Sequence, residues 1–146
     1  MTDNTLPWKG IHHIALATPH LETTLNFYRD VLGMTVSDIF PSERGRHAIV
    51  FAKLNDDDTW GLHIFERGTT PSLAAPTGQS QAANSNTTPL LHIAYRLPNV
   101  DAADALRARL RRHNVDITEI TELGSFVFYD PYGLMLEVTY PAKVIP

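Results

Sequence analysis

Histidine recurs at matching places in this chain. The phrases IHHIALA at residues 11–17 and LLHIAYR at residues 90–96 each put one at the third position of a short apolar run, His13 and His92. A neutral imidazole is a common ligand of divalent metals, and the side chain titrates near neutral pH. A duplicated unit can fold with its copies facing each other, bringing residues distant in sequence to one cavity. Two inward histidines joined by a carboxylate suit Fe(II) with open positions, and Mn, Ni, Co or Zn as well.

The elements that would position these residues repeat too. Side chains alternate between faces along a strand. In a first strand at residues 10–18, His13, Ala15 and Ala17 therefore share one side, while His12, Ile14 and Leu16 face the other. The small alanines leave room for a cavity beside His13. Leu21, Leu25, Tyr28 and Leu32 predict a helix over 21–32, with Gly33 as its stop. Strands follow at 35–40, 48–54 and 60–66, the last two joined by an Asn55-Asp56-Asp57-Asp58 turn.

The second unit keeps this order. A strand at 90–97 carries His92 and Ala94 on one face, and a helix capped by Asn99 or Asp101 has Val100, Ala103, Leu106 and Leu110 as its apolar stripe. Strands follow at 117–122, 124–129 and 134–140, with an Asp130-Pro131-Tyr132-Gly133 turn between the last two. Overlaying the units sets His13 on His92, and GLHIFE (61–66) on LMLEVTY (134–140), which places His63 opposite Glu137. Residues 67–89 between the units are rich in Gly, Ser, Thr, Asn, Gln, Pro and Ala; they read as a flexible linker, with a flap over the pocket or an arm on a partner subunit as the sharper reading.

Composition narrows the function. The 146 residues make one domain's worth of chain, 43% hydrophobic and 19% charged, as in ordinary globular proteins. With a net charge of −4 and its clearest basic run confined to residues 107–112, nucleic acid is not an expected partner. The absence of cysteine excludes disulfides, thiolate metal sites and a cysteine nucleophile. No apolar run approaches the roughly 20 residues of a membrane span, and the start MTDNTLPWKG lacks signal-peptide character, so the expected location is cytoplasmic.

The run HIALATPHLETTLNFYRDVLGM (13–34) resembles the opening of vicinal oxygen chelate proteins. That superfamily includes glyoxalase I, methylmalonyl-CoA epimerase, extradiol ring-cleaving dioxygenases, and fosfomycin- and bleomycin-resistance proteins. FVFYDPYGLMLEV (126–138) resembles its closing signature and HIAY (92–95) its middle histidine strand. The resemblance implies an α+β fold: two βαβββ modules forming a curved mixed sheet around a metal-binding cup, in a single domain over residues 1–146. Module one covers about 10–66 and module two about 90–140, on either side of the 67–89 linker. The family's ligand positions fall on His13, His63, His92 and Glu137, and family members usually form homodimers.

One departure bears on the reaction. Glyoxalase-like members carry Glu, and epimerase-like members Gln, where this chain has His63. A glyoxalase mechanism uses a carboxylate there to move a proton, so extradiol-type ring cleavage with Fe(II) is slightly preferred. A glyoxalase- or epimerase-like lyase or isomerase, with Glu137 or His63 moving a proton, is the first alternative. A metal-free binding or drug-resistance protein is the second, although such members have commonly lost the ligands that are complete here. In each case the partner is a small molecule, with vicinal oxygens if an enzyme acts on it. His63, Glu137 and Tyr129 are the candidate catalytic residues, Tyr129 as a hydrogen-bond donor to bound oxygen. Arg44, Arg46 and His47 in the PSERGRH segment read as a solvated loop, and His113 as a solvated helix end. A second departure, His20 where an Asp often caps the first helix, transfers the capping to Thr18.

Overall fold

A computed structural model describes residues 5–41, 45–53, 60–67, 90–121 and 124–141. The predicted 55–58 turn, Arg44, and all of the linker except Arg67 lie outside the described residues. The first unit runs β1 (His13–Thr18), α1 (Leu21–Asn26), a π-helical turn (Phe27–Val31), β2 (Thr35–Val36), β3 (His47–Phe51) and β4 (Gly61–Glu66). The second runs β5 (His92–Arg96), α2 (Val100–Arg112), β6 (Thr118–Ile120), β7 (Ser125–Tyr129) and β8 (Met135–Thr139). Each unit forms a four-stranded sheet, in the orders β1-β4-β3-β2 and β5-β8-β7-β6. In both, the outer first strand pairs parallel with the last, and the remaining pairs are antiparallel. This is the expected α+β architecture of two βαβββ modules.

Alternation sorts the side chains as the sequence predicts. Leu62, Ile64, Ala48 and Val50 of the first sheet, and Ile93, Leu136, Val138, Phe126 and Phe128 of the second, are buried in one core with Leu21, Leu25 and Tyr28. Each fully buried large apolar side chain contributes roughly 1.5–3 kcal/mol. The opposite faces carry His13, Ala15 and Ala17 on β1 and His92 and Ala94 on β5, all exposed. Both first strands are sheet edges.

The first helix departs from expectation at both ends. Its regular part stops at Asn26, and Leu32 N–H then reaches back five residues to the Phe27 carbonyl at 3.1 Å. The widened turn lets the consecutive Phe27 and Tyr28 both turn inward, which a regular helix makes difficult. At the start, the Leu21 N–H donates to Glu66 Oε2 of β4 at 3.0 Å. The cap therefore comes from a residue 45 positions away, while Thr18 Oγ1 takes a long 3.4 Å bond from the His20 N–H and shares a 2.7 Å bond with the Thr24 hydroxyl of α1. Gly33 ends the helix as predicted, at φ +74°, and a Cβ there would stand 2.9 Å from the Arg109 guanidinium. The second helix is capped by Asn99, whose Oδ1 accepts the Ala102 N–H at 2.8 Å. The predicted 35–40 strand is reduced to two residues plus an isolated bridge between Phe40 and His47.

The units are joined through the first helix. Tyr28 Oη donates to Asp130 Oδ2 at 3.2 Å, Phe27 packs near Phe128, and Arg109 donates to the Asp30 carbonyl at 2.9 Å. Asp130 also accepts from the Tyr132 and Leu134 N–H groups, which forms the expected turn.

Candidate metal centre

In the first sheet, His13 pairs with Gly61 and Ala15 with His63, so His13 and His63 lie one diagonal apart on the exposed face. Their ring centroids are 5.6 Å apart. The His13 ring stacks on Trp60 at 5.1 Å, and its Nδ1 lies 2.8 Å from Nδ1 of His12. His12 precedes β1 instead of alternating within it, so it meets His13 where strand geometry would have turned it away. With Nδ1 engaged, Nε2 is the His13 ring nitrogen that has no hydrogen-bond partner among the described residues. His63 Nε2 lies 2.8 Å from Nδ1 of His47. Burial first, then the neighbouring His47 and His13, lower the His63 pKa below its ordinary 6.5 and favour the neutral ring.

His47, expected in a solvated loop, instead begins β3 and stacks on Phe65 at 5.2 Å. Arg46 beside it forms ion pairs with Glu22 and Glu66. That engagement braces the α1 cap, because Glu66 also accepts the Leu21 N–H.

The second sheet repeats the diagonal. His92 pairs with Met135 and Ala94 with Glu137, and His92 Nε2 lies 3.6 Å from Glu137 Oε1. The Glu137 side chain is 15% exposed and accepts from Ser125 Oγ through Oε2 at 2.9 Å. Tyr129 pairs with Met135, so it shares the His92 face with Met135 between them, and it is 54% exposed. His113 caps the exposed end of α2, as expected.

The donor set fits a divalent metal in kind. Imidazoles and a carboxylate stand on matching faces, and His13, His63 and Glu137 are each held from behind by a hydrogen bond of the sort that orients metal ligands. The set divides into two pairs, one per sheet, and among the described residues no three His, Asp or Glu side chains converge on one point. A separate cleft of about 940 Å³ between the units is lined by Leu32, Met34, Ala52, Tyr95 and Tyr140 among others, and by none of the four donors.

Two βαβββ units, each a four-stranded sheet with a His–His or His–Glu diagonal on one face, define a duplicated α+β protein. The chain belongs to the Glyoxalase/Bleomycin resistance protein/Dioxygenase superfamily, whose family model matches residues 10–138. It is 40% identical over 58 residues to the mitochondrial methylmalonyl-CoA epimerase of Mus musculus, covering 38% of this chain and 33% of that one. It is 26% identical over 117 residues to the Homo sapiens enzyme, covering 79% and 60%. The matches thus span less than two thirds of either epimerase. Among solved structures, a variant of the fosfomycin resistance protein FosX from Listeria monocytogenes, complexed with Mn(II) and 1S,2S-dihydroxypropylphosphonic acid, has the same fold. Its TM-score is 0.64 at 15% identity, over 93% of this chain and 95% of that one.

Proposed function

We propose that this chain is a divalent-metal-dependent enzyme that acts on a small molecule with neighbouring oxygens, and that it works as a homodimer. The observation carrying this reading is the repeated diagonal: His13 stands to His63 as His92 stands to Glu137. These four residues would hold the ion, which would supply Lewis-acid polarisation of two substrate oxygens. The pairs belong to separate sheets, and β1 and β5 are open edges with exposed donor faces. Pairing of β1 with β5 of a second copy would bring His13 and His63 to His92 and Glu137, in a closed two-fold assembly.

The chemistry proposed within that site is proton transfer beside the bound oxygens, of the isomerase or lyase kind. The relatives carrying this choice over ring cleavage are the two epimerases. The Glu137 carboxylate, held through Oε2 by Ser125, keeps Oε1 toward His92 and is the group that would move the proton, while neutral His63 would serve as a ligand. Tyr129 stands on the same face, able to donate to a substrate oxygen. Extradiol ring cleavage is the second reading, favoured by the two-histidine, one-carboxylate set of His13, His92 and Glu137.

Elemental analysis of anaerobically purified protein, beside the His92→Ala variant, tests the core of this reading. About one metal per chain, lost in the variant, is the expected result. Turnover without oxygen would support proton transfer, and catechol-dependent oxygen uptake with iron would support ring cleavage. A chain that takes up no metal even on reconstitution, yet still binds small molecules after His13→Ala and Glu137→Ala, would be a binding protein.

A further inference from the structure

The duplication extends one layer beyond the four donors. In the first sheet, Ile49 of β3 pairs with His63 of β4, and His47 lies two residues before Ile49 on the same face. In the second, Val127 of β7 pairs with Glu137 of β8, and Ser125 lies two residues before Val127. His47 and Ser125 therefore occupy equivalent positions. Each bonds the last-strand donor of its own sheet, His47 to His63 at 2.8 Å and Ser125 to Glu137 at 2.9 Å. Sequence comparison of the units does not suggest this pairing, because histidine and serine share no obvious likeness.

The chemistry of the two contacts is also equivalent. Ser125 Oγ occupies Oε2 of Glu137, so the oxygen nearest His92 is Oε1. His47 occupies Nε2 of His63, so the ring nitrogen without a hydrogen-bond partner among the described residues is Nδ1. A neutral imidazole has one N–H and one lone pair. For His63 to offer its lone pair at Nδ1, it must donate from Nε2–H to the lone pair on His47 Nδ1. We propose that His47 is a positioning residue that accepts the His63 Nε2–H and so presents Nδ1 of His63 as the donor atom, as Ser125 presents Oε1 of Glu137. This rests on the metal-centre reading above. His63 thereby differs from His13, whose Nδ1 is engaged by His12 and whose Nε2 has no hydrogen-bond partner among the described residues. The Phe65 ring stacked on His47 keeps its plane in place.

The test uses the full chain and Mn(II) alone. Long-range proton–nitrogen NMR of the metal-free wild type reports the His63 tautomer, and calorimetry reports Mn(II) affinity. The expected tautomer is Nε2–H. His47→Phe keeps a ring against Phe65 but loses the acceptor, and is expected to mix the tautomers and weaken Mn(II) binding roughly 10–100-fold. Ser125→Ala is expected to lose affinity on the same scale, while His47→Asn, with an amide oxygen near the place of Nδ1, restores most of it. A wild-type His63 protonated at Nδ1 overturns the inference without any substitution. So does a His47→Phe chain that binds Mn(II) like wild type while His63→Ala binds weakly, and this leaves the metal centre standing. Unchanged affinity in both His63→Ala and Glu137→Ala would remove the metal centre, and the role of His47 with it.

Discussion

Tyr28 and Asp130, 102 residues apart, share a hydrogen bond of 3.2 Å that links the first helix to the turn between β7 and β8. Burial, the largest influence, raises the Asp130 pKa above its ordinary 3.8 against the opposing N–H groups of Leu134 and Tyr132 and the Tyr28 hydroxyl. A carboxyl with a raised folded pKa binds protons more tightly when folded. Its contribution to stability is then fully present below the unfolded value of 3.8 and is lost as pH rises through the folded pKa. Asp130→Asn should therefore remove a loss of stability that the wild type shows on going from pH 3.8 upward, as measured by urea denaturation across pH. Tyr28→Phe should cost about 1 kcal/mol at neutral pH.

Subunit mixing should reveal whether the donor pairs meet across two chains. His13→Ala and His92→Ala homodimers are each expected to be inactive. In a mixed dimer of shared sites, one site carries both substitutions and the other carries neither. Random exchange makes half the dimers mixed, so activity should return to roughly one quarter of wild type. Sites closed within single chains would give no recovery in the same assay.

Gly61→Ala should damage the first sheet and its histidines together. Gly61 sits at φ +103°, and a Cβ there would lie 2.6 Å from the Ala52 nitrogen and 2.9 Å from the Val50 carbonyl oxygen. Both contacts are to the backbone of the neighbouring chain segment, which cannot swing away like a side chain. A loss of roughly 1–3 kcal/mol is expected in chemical denaturation. Mn(II) binding should fall as well, because Gly61 opens the strand that carries His63.

Arg107 is expected to resist replacement by lysine. Its side chain is 11% exposed and lies over the Phe126 ring at 4.4 Å. It donates to both oxygens of Glu119 at 3.1 and 2.8 Å and to the Tyr140 hydroxyl at 2.8 Å, tying α2 to β6 and to the segment after β8. A lysine ammonium cannot reproduce that fork. Arg107→Lys should lower stability by about 1.5 kcal/mol in a urea titration, the lower end for charged hydrogen bonds because Glu119 is half exposed.

The sequence by itself determined the two βαβββ units, which residues of β1 and β5 share a face, and the equivalence of His63 with Glu137. Those features follow from strand alternation, helical spacing and turn residues, which are local properties repeated along the chain. The exposure of the His13 and His92 faces, expected to line a cavity, came from the structure. Only the tertiary structure decided what stands behind each donor. His12 meets His13 because it lies just outside the strand whose alternation would have turned it away. His47 and Ser125 reach His63 and Glu137 through antiparallel register, which no periodicity in either segment encodes. The capping of Leu21 by Glu66 likewise depends on β4 lying beside the start of α1. The division of the donors into two pairs follows from the two units forming separate sheets, each with its own pair. Such contacts between distant residues are set by how faces fit together, whereas each face is written in its own segment.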